Sequence, residues 1–227
     1  MTREPVLLSI VIPTLDEAQT LLDCLQRLQP LRAQKVEIIV ADGGGPAVST
    51  LDPLTDQHLR CAKGRAVQMN CGADAASGCW LLFLHADTEL PGDVDSWLLQ
   101  LAQSPVQWGF FRLTLDGSPT FFRLIEWCIN RRSSLTSVAT GDQCLFVRRA
   151  VFNAVGGYPA IALMEDVALS KTLRSRATPL IWPSPVVTSS RRWQQKGILK
   201  TVLLMWILRF SYFVGVSPSR LATYYRG

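Results

Sequence analysis

The sequence predicts an α/β domain built on a mostly parallel sheet with helices on both faces, and three observations carry that prediction. Short, continuous apolar runs at Leu7–Ile12, Val36–Val40 and Trp80–Leu84 alternate with stretches of helical periodicity. The runs lack the in–out polar alternation of a half-solvated strand, so each reads as a strand covered on both faces. Each run also leads into acid: Asp16 and Glu17 after the first, Asp42 after the second, Asp87 after the third. Ligands of such sheets bind beyond the carboxyl ends of the strands, so three separate strands would deliver acids to one crevice.

The elements follow in order. After Leu7–Ile12 comes a helical stripe of Leu21, Leu25 and Leu28, ended by Pro30. Val36–Val40 runs into Ala41-Asp42-Gly43-Gly44-Gly45, a turn suited to glycine. Gly64–Ala76 reads as a helix, Trp80–Leu84 as the third strand, and Asp93–Gln103 as a helix after Pro91-Gly92. Phe110–Leu115 alternates like a strand and Thr120–Ile129 reads as a helix. Cys144–Val147 is a short strand, Ala150–Val155 a short helix ending at Gly156-Gly157, Glu165–Leu173 a helix and Val186–Ser189 a last strand. No Gly-, Ser- or Pro-rich linker interrupts the chain. Residues 1–193 are therefore read as one domain and 194–227 as a helical tail.

With 227 residues, 48 % apolar and 18 % charged, the chain can bury enough surface to fold without repeats or metal staples. The N-terminus lacks the basic start and cleavage site of a signal peptide. The six cysteines (24, 61, 71, 79, 128, 144) show no C-x-x-C spacing, and they read as buried, reduced thiols of a cytoplasmic protein. The net charge of +5 is unevenly placed: Arg191–Gly227 carries seven basic residues and no acid, and the remainder is slightly acidic. Such a segment suits an anionic ligand or membrane surface. Nucleic acid is disfavoured, because basic residues interleaved with aromatics are missing.

Five segments, in this order, resemble a family 2 glycosyltransferase: Ser9–Leu22 (SIVIPTLDEAQTLL), Val40–Gly44 (VADGG), Leu82–Thr88 (LFLHADT), Gly141–Val147 (GDQCLFV) and Met164–Leu173 (MEDVALSKTL). Lys63–Ala73 (KGRAVQMNCGA) and the HAD variant resemble a bacterial subgroup of it. The resemblance implies a GT-A fold, a nucleotide diphosphate sugar as donor, Mn²⁺ or Mg²⁺ as cofactor, and inversion at the anomeric carbon.

It also implies roles. Asp87 holds the place of the last acid in the family's DxD motif and is the expected metal ligand; Mn²⁺ and Mg²⁺ both suit carboxylate and phosphate oxygens. His85 replaces the first acid, with Ala86 between them; His85 either contacts the donor or orients Asp87. Asp42 matches the acid that accepts a hydrogen bond from the base, although an Asp before glycines also closes turns. Pro13, Thr14 and Glu17 match the nucleotide pocket, and Glu17 equally suits a helix's first turn. Lys63 and Arg65 flank Gly64 where a helix begins. Cations suit that end poorly unless an anion lies near. Glu165-Asp166 matches the family's acidic pair, with Asp166 as general base and Glu165 beside it; two acids in a first turn also fit the helix dipole. Gly141, Asp142 and Gln143 resemble the acceptor segment.

Arg191, Arg192 and Trp193 are a fragment of a longer basic–aromatic motif whose leading Gln is absent, which argues against processive synthesis. The arginines suit the diphosphate, and Trp193 suits either a sugar face or core packing. In the tail, Ile198–Val216 is apolar but interrupted by Lys200 and Arg209, which argues against spanning a membrane. Leu203, Trp206, Ile207 and Phe210 share one stripe, which fits either packing on the domain or a partner, or peripheral contact with a membrane. Two other functions share such a sheet. A nucleotidyltransferase would open with a Gly-rich phosphate loop where Pro13–Glu17 stands; a non-catalytic nucleotide-sugar-binding protein would keep the fold alone. Oligomeric state, donor and acceptor have no signature.

Overall fold

Pro13 does not stop the first strand. In the computed structural model, which describes residues 5–44, 53–117, 120–191 and 197–226, β1 runs Leu8–Thr14. It pairs in parallel with β2 (Val36–Asp42) along its whole length and with β4 (Trp80–Phe83) only as far as Val11. Pro13 thus has a strand on one side only, where a missing N–H costs no ladder bond.

Around this centre the described strands form one sheet in the order β3-β2-β1-β4-β7-β6-β8-β5. β3 (Gln57–Arg60) adds in parallel to β2. β7 (Phe146–Arg148) runs antiparallel between β4 and β6 (Trp108–Leu115). β8 (Leu180–Thr188) is parallel to β6 and antiparallel to β5 (Thr88–Glu89). The sheet is therefore mixed, and its block of four parallel strands, β3-β2-β1-β4, is the acid-bearing part.

The helices are α1 (Ala18–Leu28), α2 (Arg65–Ala75), α3 (Val94–Gln103), α4 (Thr120–Thr136), α5 (Arg149–Ala154), α6 (Glu165–Arg174), α7 (Ile198–Phe213) and α8 (Pro218–Arg226). They cover both faces, as the doubly apolar strands require. On one face Leu21 and Leu25 of α1, Trp97 and Leu101 of α3 and Phe122 and Ile125 of α4 pack on Leu8, Ile10, Ile12, Ile38 and Val40. On the other, Met69 and Ala73 of α2, Phe152 of α5 and Leu169 and Leu173 of α6 pack on the alternate residues Val11 and Ile39. This period-two division is what a strand buried on both faces looks like from its side chains.

Several elements differ from expectation. β3 and β5 have no apolar run, because they are short strands at the two edges of the sheet. α4 continues past Ile129 to Thr136. β8 begins at Leu180 rather than Val186; Pro183 and Pro185 fall between the pairs Phe111↔Trp182 and Leu113↔Val186, in a bulge that tolerates them. The cysteines depart most from the reading. Cys24 and Cys144 are buried thiols, but Cys79 and Cys128 are exposed and Cys61 is bonded to Cys71. Cys61 lies just past β3 and Cys71 on α2, so the fold brings together two positions that sequence spacing does not pair. Burial pushes the Cys24 thiol up to about 12.

The tail is seated on the body. Leu208 of α7 and Leu221 of α8 are buried in one cluster with Val138, Met164 and Val167. The stripe of Leu203, Trp206, Ile207 and Phe210 is a different face of α7, and it is exposed.

Candidate active site

The parallel arrangement carries Thr14 and Asp42 to the same level, as register partners at the carboxyl ends of β1 and β2. Both are buried. Asp42 accepts a hydrogen bond from Gly44 N–H through Oδ1 at 2.9 Å, and its Oδ2 lies 3.9 Å from His58 Nε2 on β3. The turn beyond Asp42 requires glycine at Gly44, whose φ is 113°. Glu17 is exposed where α1 begins, Pro13 is half-buried beside it, and Lys63 is exposed ahead of α2. The turn-forming and ligand-binding readings of Asp42 are thus compatible: one carboxylate oxygen shapes the turn, the other faces a histidine.

Gln68, which the sequence left without a role, locks this end of the sheet. Its buried amide donates through Nε2 to Thr14 O at 2.6 Å and Ala41 O at 2.9 Å, joining α2 to the last residues of β1 and β2. Thr14 O also accepts from Gly43 N–H at 2.9 Å, so the Gln68 amide adds a second, side-chain tie where the two strands end. A lone Gln on a helix gives no sequence signal of that kind.

After β4 the chain turns sharply. Thr88 N–H donates to His85 O at 3.0 Å, so His85–Thr88 forms a turn and not a continued strand. Asp87 is half-buried, near Thr88 Oγ1 at 3.4 Å, and its carbonyl accepts from Ser189 N–H at 3.2 Å. That contact brings the segment leading to Arg191, which is exposed, alongside Asp87. Arg192 and Trp193 lie outside the described residues. Ala86 is buried and offers a ligand only its backbone.

His85 lies against the segment that carries Gly141 and Asp142. Its Nδ1 lies 3.6 Å from Asp142 Oδ1, and its ring packs so closely on Gly141 that a β-carbon there would stand 2.7 Å from Cε1. The turn at His85–Thr88 is the reason.

His85, Arg65, Gly141, Tyr158, Glu165 and Asp166 line one pocket. Asp166 accepts from Gly141 N–H and from Val167 N–H, each at 2.7 Å, and Arg65 lies 3.9 Å from Glu165 Oε1. Burial raises both carboxyls above their ordinary values. For Glu165 the neighbouring Asp166 adds to the rise; for Asp166 the two backbone N–H groups oppose it, and Arg65 opposes it at both. Partial desolvation of this half-exposed side chain would lower the Arg65 guanidinium, but the attraction of Glu165, Tyr225, Asp142 and Asp166 outweighs it and the net movement is upward. Met164, immediately before the pair, has φ 69°, and Cys144, after the Gly141–Gln143 turn, has φ 45°. Left-handed backbone at such residues costs about 1–3 kcal/mol each, and here it flanks the carboxylates.

Gln143 does not face this pocket. It is fully buried, accepting from Ser133 Oγ at 2.6 Å and donating to Phe111 O at 3.3 Å, so it braces the segment that carries Gly141 and Asp142. Asp142 is exposed. Arg132 on α4 was also without a role. Burial lowers its guanidinium to about 10 against the pull of Asp166 and Asp142, and its Nε is buried without a hydrogen-bond partner. Within Arg131-Arg132 on a helix, nothing in the sequence marks one as buried.

Among the described residues no three His, Cys, Asp or Glu side chains form a metal cage. The donor set fits Mn²⁺ or Mg²⁺ in another way: a single half-buried carboxylate, Asp87, with phosphates supplying most other ligands, a common arrangement for hard cations on nucleotides.

Comparison with known proteins bears on family and fold. A PGL/p-HBAD biosynthesis glycosyltransferase of Mycobacterium tuberculosis, and its counterpart in Mycobacterium bovis, are 37 % identical over 92 residues. The match covers 36 % of this chain and 36 % of each relative, so the chain spans about a third of the length of the curated relatives it matches. S. aureus TarS 1-349 in complex with UDP-GlcNAc superposes with a TM-score of 0.62 at 14 % identity, over 81 % of this chain and 58 % of that one. Mannosyltransferase PcManGT from Pyrobaculum calidifontis, in complex with GDP-Man and Mn²⁺, gives 0.58 at 18 % identity, over 83 % and 57 %. Both share the GT-A fold with this chain. The model of glycosyl transferase family 2 matches residues 9–122, half of the sequence, and this chain belongs to that family.

Proposed function

We propose that the chain is an inverting, metal-dependent glycosyltransferase acting on a nucleotide diphosphate sugar. The observation that carries this reading is the Glu165–Asp166 pair, Glu165 buried and Asp166 half-buried, in one pocket with Arg65 and with His85 just past β4. Relatives of the same fold hold UDP-GlcNAc or GDP-Man with Mn²⁺, which supports the donor class and the cofactor. No Gly-rich phosphate loop stands at Pro13–Glu17, which disfavours a nucleotidyltransferase.

In this reading Asp42 receives the base, and Pro13, Thr14 and Glu17 border the nucleoside. Lys63, Arg65 and Arg191 face the phosphates, and Arg192 extends that basic run. Asp87 holds Mn²⁺ or Mg²⁺, which when bound offsets phosphate charge. The acceptor hydroxyl enters past Gly141 and Asp142, with Trp193 as a stacking platform. Asp166 removes its proton, the oxygen attacks the anomeric carbon from the face opposite the diphosphate, and the C–O electron pair departs with the nucleoside diphosphate. The raised pKa suits a base working near neutrality. His85 orients Asp142 beside this path. Residues 194–227 make peripheral contact with a membrane, and the active site works on its cytoplasmic side.

Asp87→Ala tests the metal assignment. Calorimetry with UDP or GDP should show Mn²⁺-enhanced binding to the parent and loss of that enhancement in the variant, at unchanged melting temperature. Equal Mn²⁺ enhancement in both would remove Asp87 from the site.

A further inference from the structure

Two helices, distant in sequence, leave large apolar side chains in solvent. On α4 the exposed stripe is Phe121, Leu124, Trp127 and Leu135; on α7 it is Leu203, Trp206, Ile207, Phe210 and Phe213. Trp127 is 62 % exposed, Trp206 70 % and Phe213 78 %. At about 100° per residue the members of each stripe fall within about a third of the helix circumference, so each is one face of its helix. The opposite faces are buried: Phe122 and Ile125 of α4 lie in the core, and Leu208 of α7 is buried with Val138, two residues past the end of α4. The segment that follows α4 therefore packs on α7, which brings the end of α4 near that helix.

Charge decides what such a face meets. On α4 the lone acid, Glu126, is buried and accepts from Leu115 N–H and from Arg123, while Arg131 is exposed. From Arg191 to the end of the sequence there is no acid, and Lys200 and Arg220 are exposed. Apolar stripes bearing tryptophan, bordered by cations and free of exposed acid, match an anionic bilayer surface, where apolar area and lipid charge add. None of the described helices is long and apolar enough to cross a membrane.

We propose that α4 and α7 together form one docking face for an anionic lipid bilayer. This rests on the membrane contact read for residues 194–227 and adds α4, a helix of the catalytic body, to it. Docking then fixes the orientation of the domain, because α7 packs through Leu208 against Met164 and Val167, which flank the Glu165–Asp166 pair.

The test uses the full chain with phosphatidylcholine vesicles, with and without phosphatidylglycerol. The parent should float with the anionic vesicles only, and salt should release it. The double variants Leu124→Asp/Trp127→Asp on α4 and Trp206→Asp/Phe210→Asp on α7 change exposed residues, so each should keep its melting temperature. Each should lose binding by tenfold or more. Brominated lipid should quench tryptophan fluorescence in the parent, and less in Trp127→Phe and in Trp206→Phe. If only the α7 pair matters, the tail contact stands and the two-helix face is overturned. If the parent ignores anionic vesicles, both fail. Light scattering that shows a dimer broken by the same variants, without vesicle binding, would assign the face to a second copy and overturn the proposal. Calorimetry with UDP or GDP reads the donor site separately, since neither variant touches it.

Discussion

Both oxygens of Asp166 accept backbone N–H groups, yet burial still leaves its carboxyl above the 3.8 of a free Asp. A base must be ionised to work, so transfer should rise with pH along a limb above the ordinary carboxylate range. Arg65 favours the ionised forms of both Glu165 and Asp166, so Arg65→Met should move that limb to higher pH. A pH–rate profile of the two proteins reads this directly. Asp166→Asn should lower transfer by about 10²–10⁴-fold while nucleotide binding persists. The stability sign is also fixed. The folded chain holds the Asp166 proton more tightly than the unfolded one, so stability declines as pH climbs from 3.8 through the raised value. Asp166→Asn should flatten that part of the melting-temperature profile. A variant that transfers sugar near the parent rate would shift the base to Glu165.

Gly141 offers a second residue-scale test. A β-carbon there would stand 2.7 Å from His85 Cε1, too close for the ring to stay. Gly141→Ala should displace His85 from Asp142 and lower kcat/KM by about 10²-fold, the order expected when a group near the chemistry moves by an ångström. The melting temperature separates this from unfolding, because Gly141 lies at the pocket edge and not in the core.

At the scale of elements, α2 connects the two halves of the site. Its first turn carries Arg65 toward Glu165, its second carries Gln68 to the ends of β1 and β2, and Cys71 ties it to the end of β3. The bridge closes a loop of sequence separation 10 that contains Lys63, Gly64 and Arg65. Replacing both cysteines with serine should cost about 2–3 kcal/mol, the loop-closure value for that length. It should also weaken nucleotide binding if the loop faces the phosphates. Urea unfolding and calorimetry under oxidising and reducing conditions separate the two effects. The cysteine pattern gives no hint of this bridge, because pairing depends on how β3 lies beside α2, and β3 itself has no apolar signature.

For the whole molecule, the prediction is linkage between donor and fold. A ligand that binds only the native state stabilises it by about 2.7 kcal/mol at a hundred times its Kd. Nucleoside diphosphate with Mn²⁺ should therefore raise the melting temperature, the diphosphate alone should raise it less, and Asp87→Ala should make the two shifts equal. A screen across bases would identify the preferred nucleotide. No shift with any diphosphate would count against the donor reading as a whole.

The sequence by itself determined the alternation of strand and helix, because strands covered on both faces must be continuous apolar runs. It also determined which acids end those strands, since an acid that follows an apolar run marks where the apolar cover of the sheet stops. Periodicity found the outer face of α7 as a stripe. Tertiary structure alone decided what that stripe touches: the buried face of α7 is the one through Leu208, and Trp206 and Phe210 look outward. It decided that His85 lies beside Asp142, because the chain turns at His85–Thr88 and the Gly141–Asp142 segment packs on the ring. It decided that Gln143 braces while Gly141 and Asp142 border the pocket, and that Gln68 and Arg132 matter. The physical reason is common to these cases. A polar side chain's role is set by which unpaired carbonyls, amides and charges the fold brings within about 3 Å of it, the reach of a hydrogen bond. Those partners come from strands and helices tens of residues away, and local composition carries no record of them.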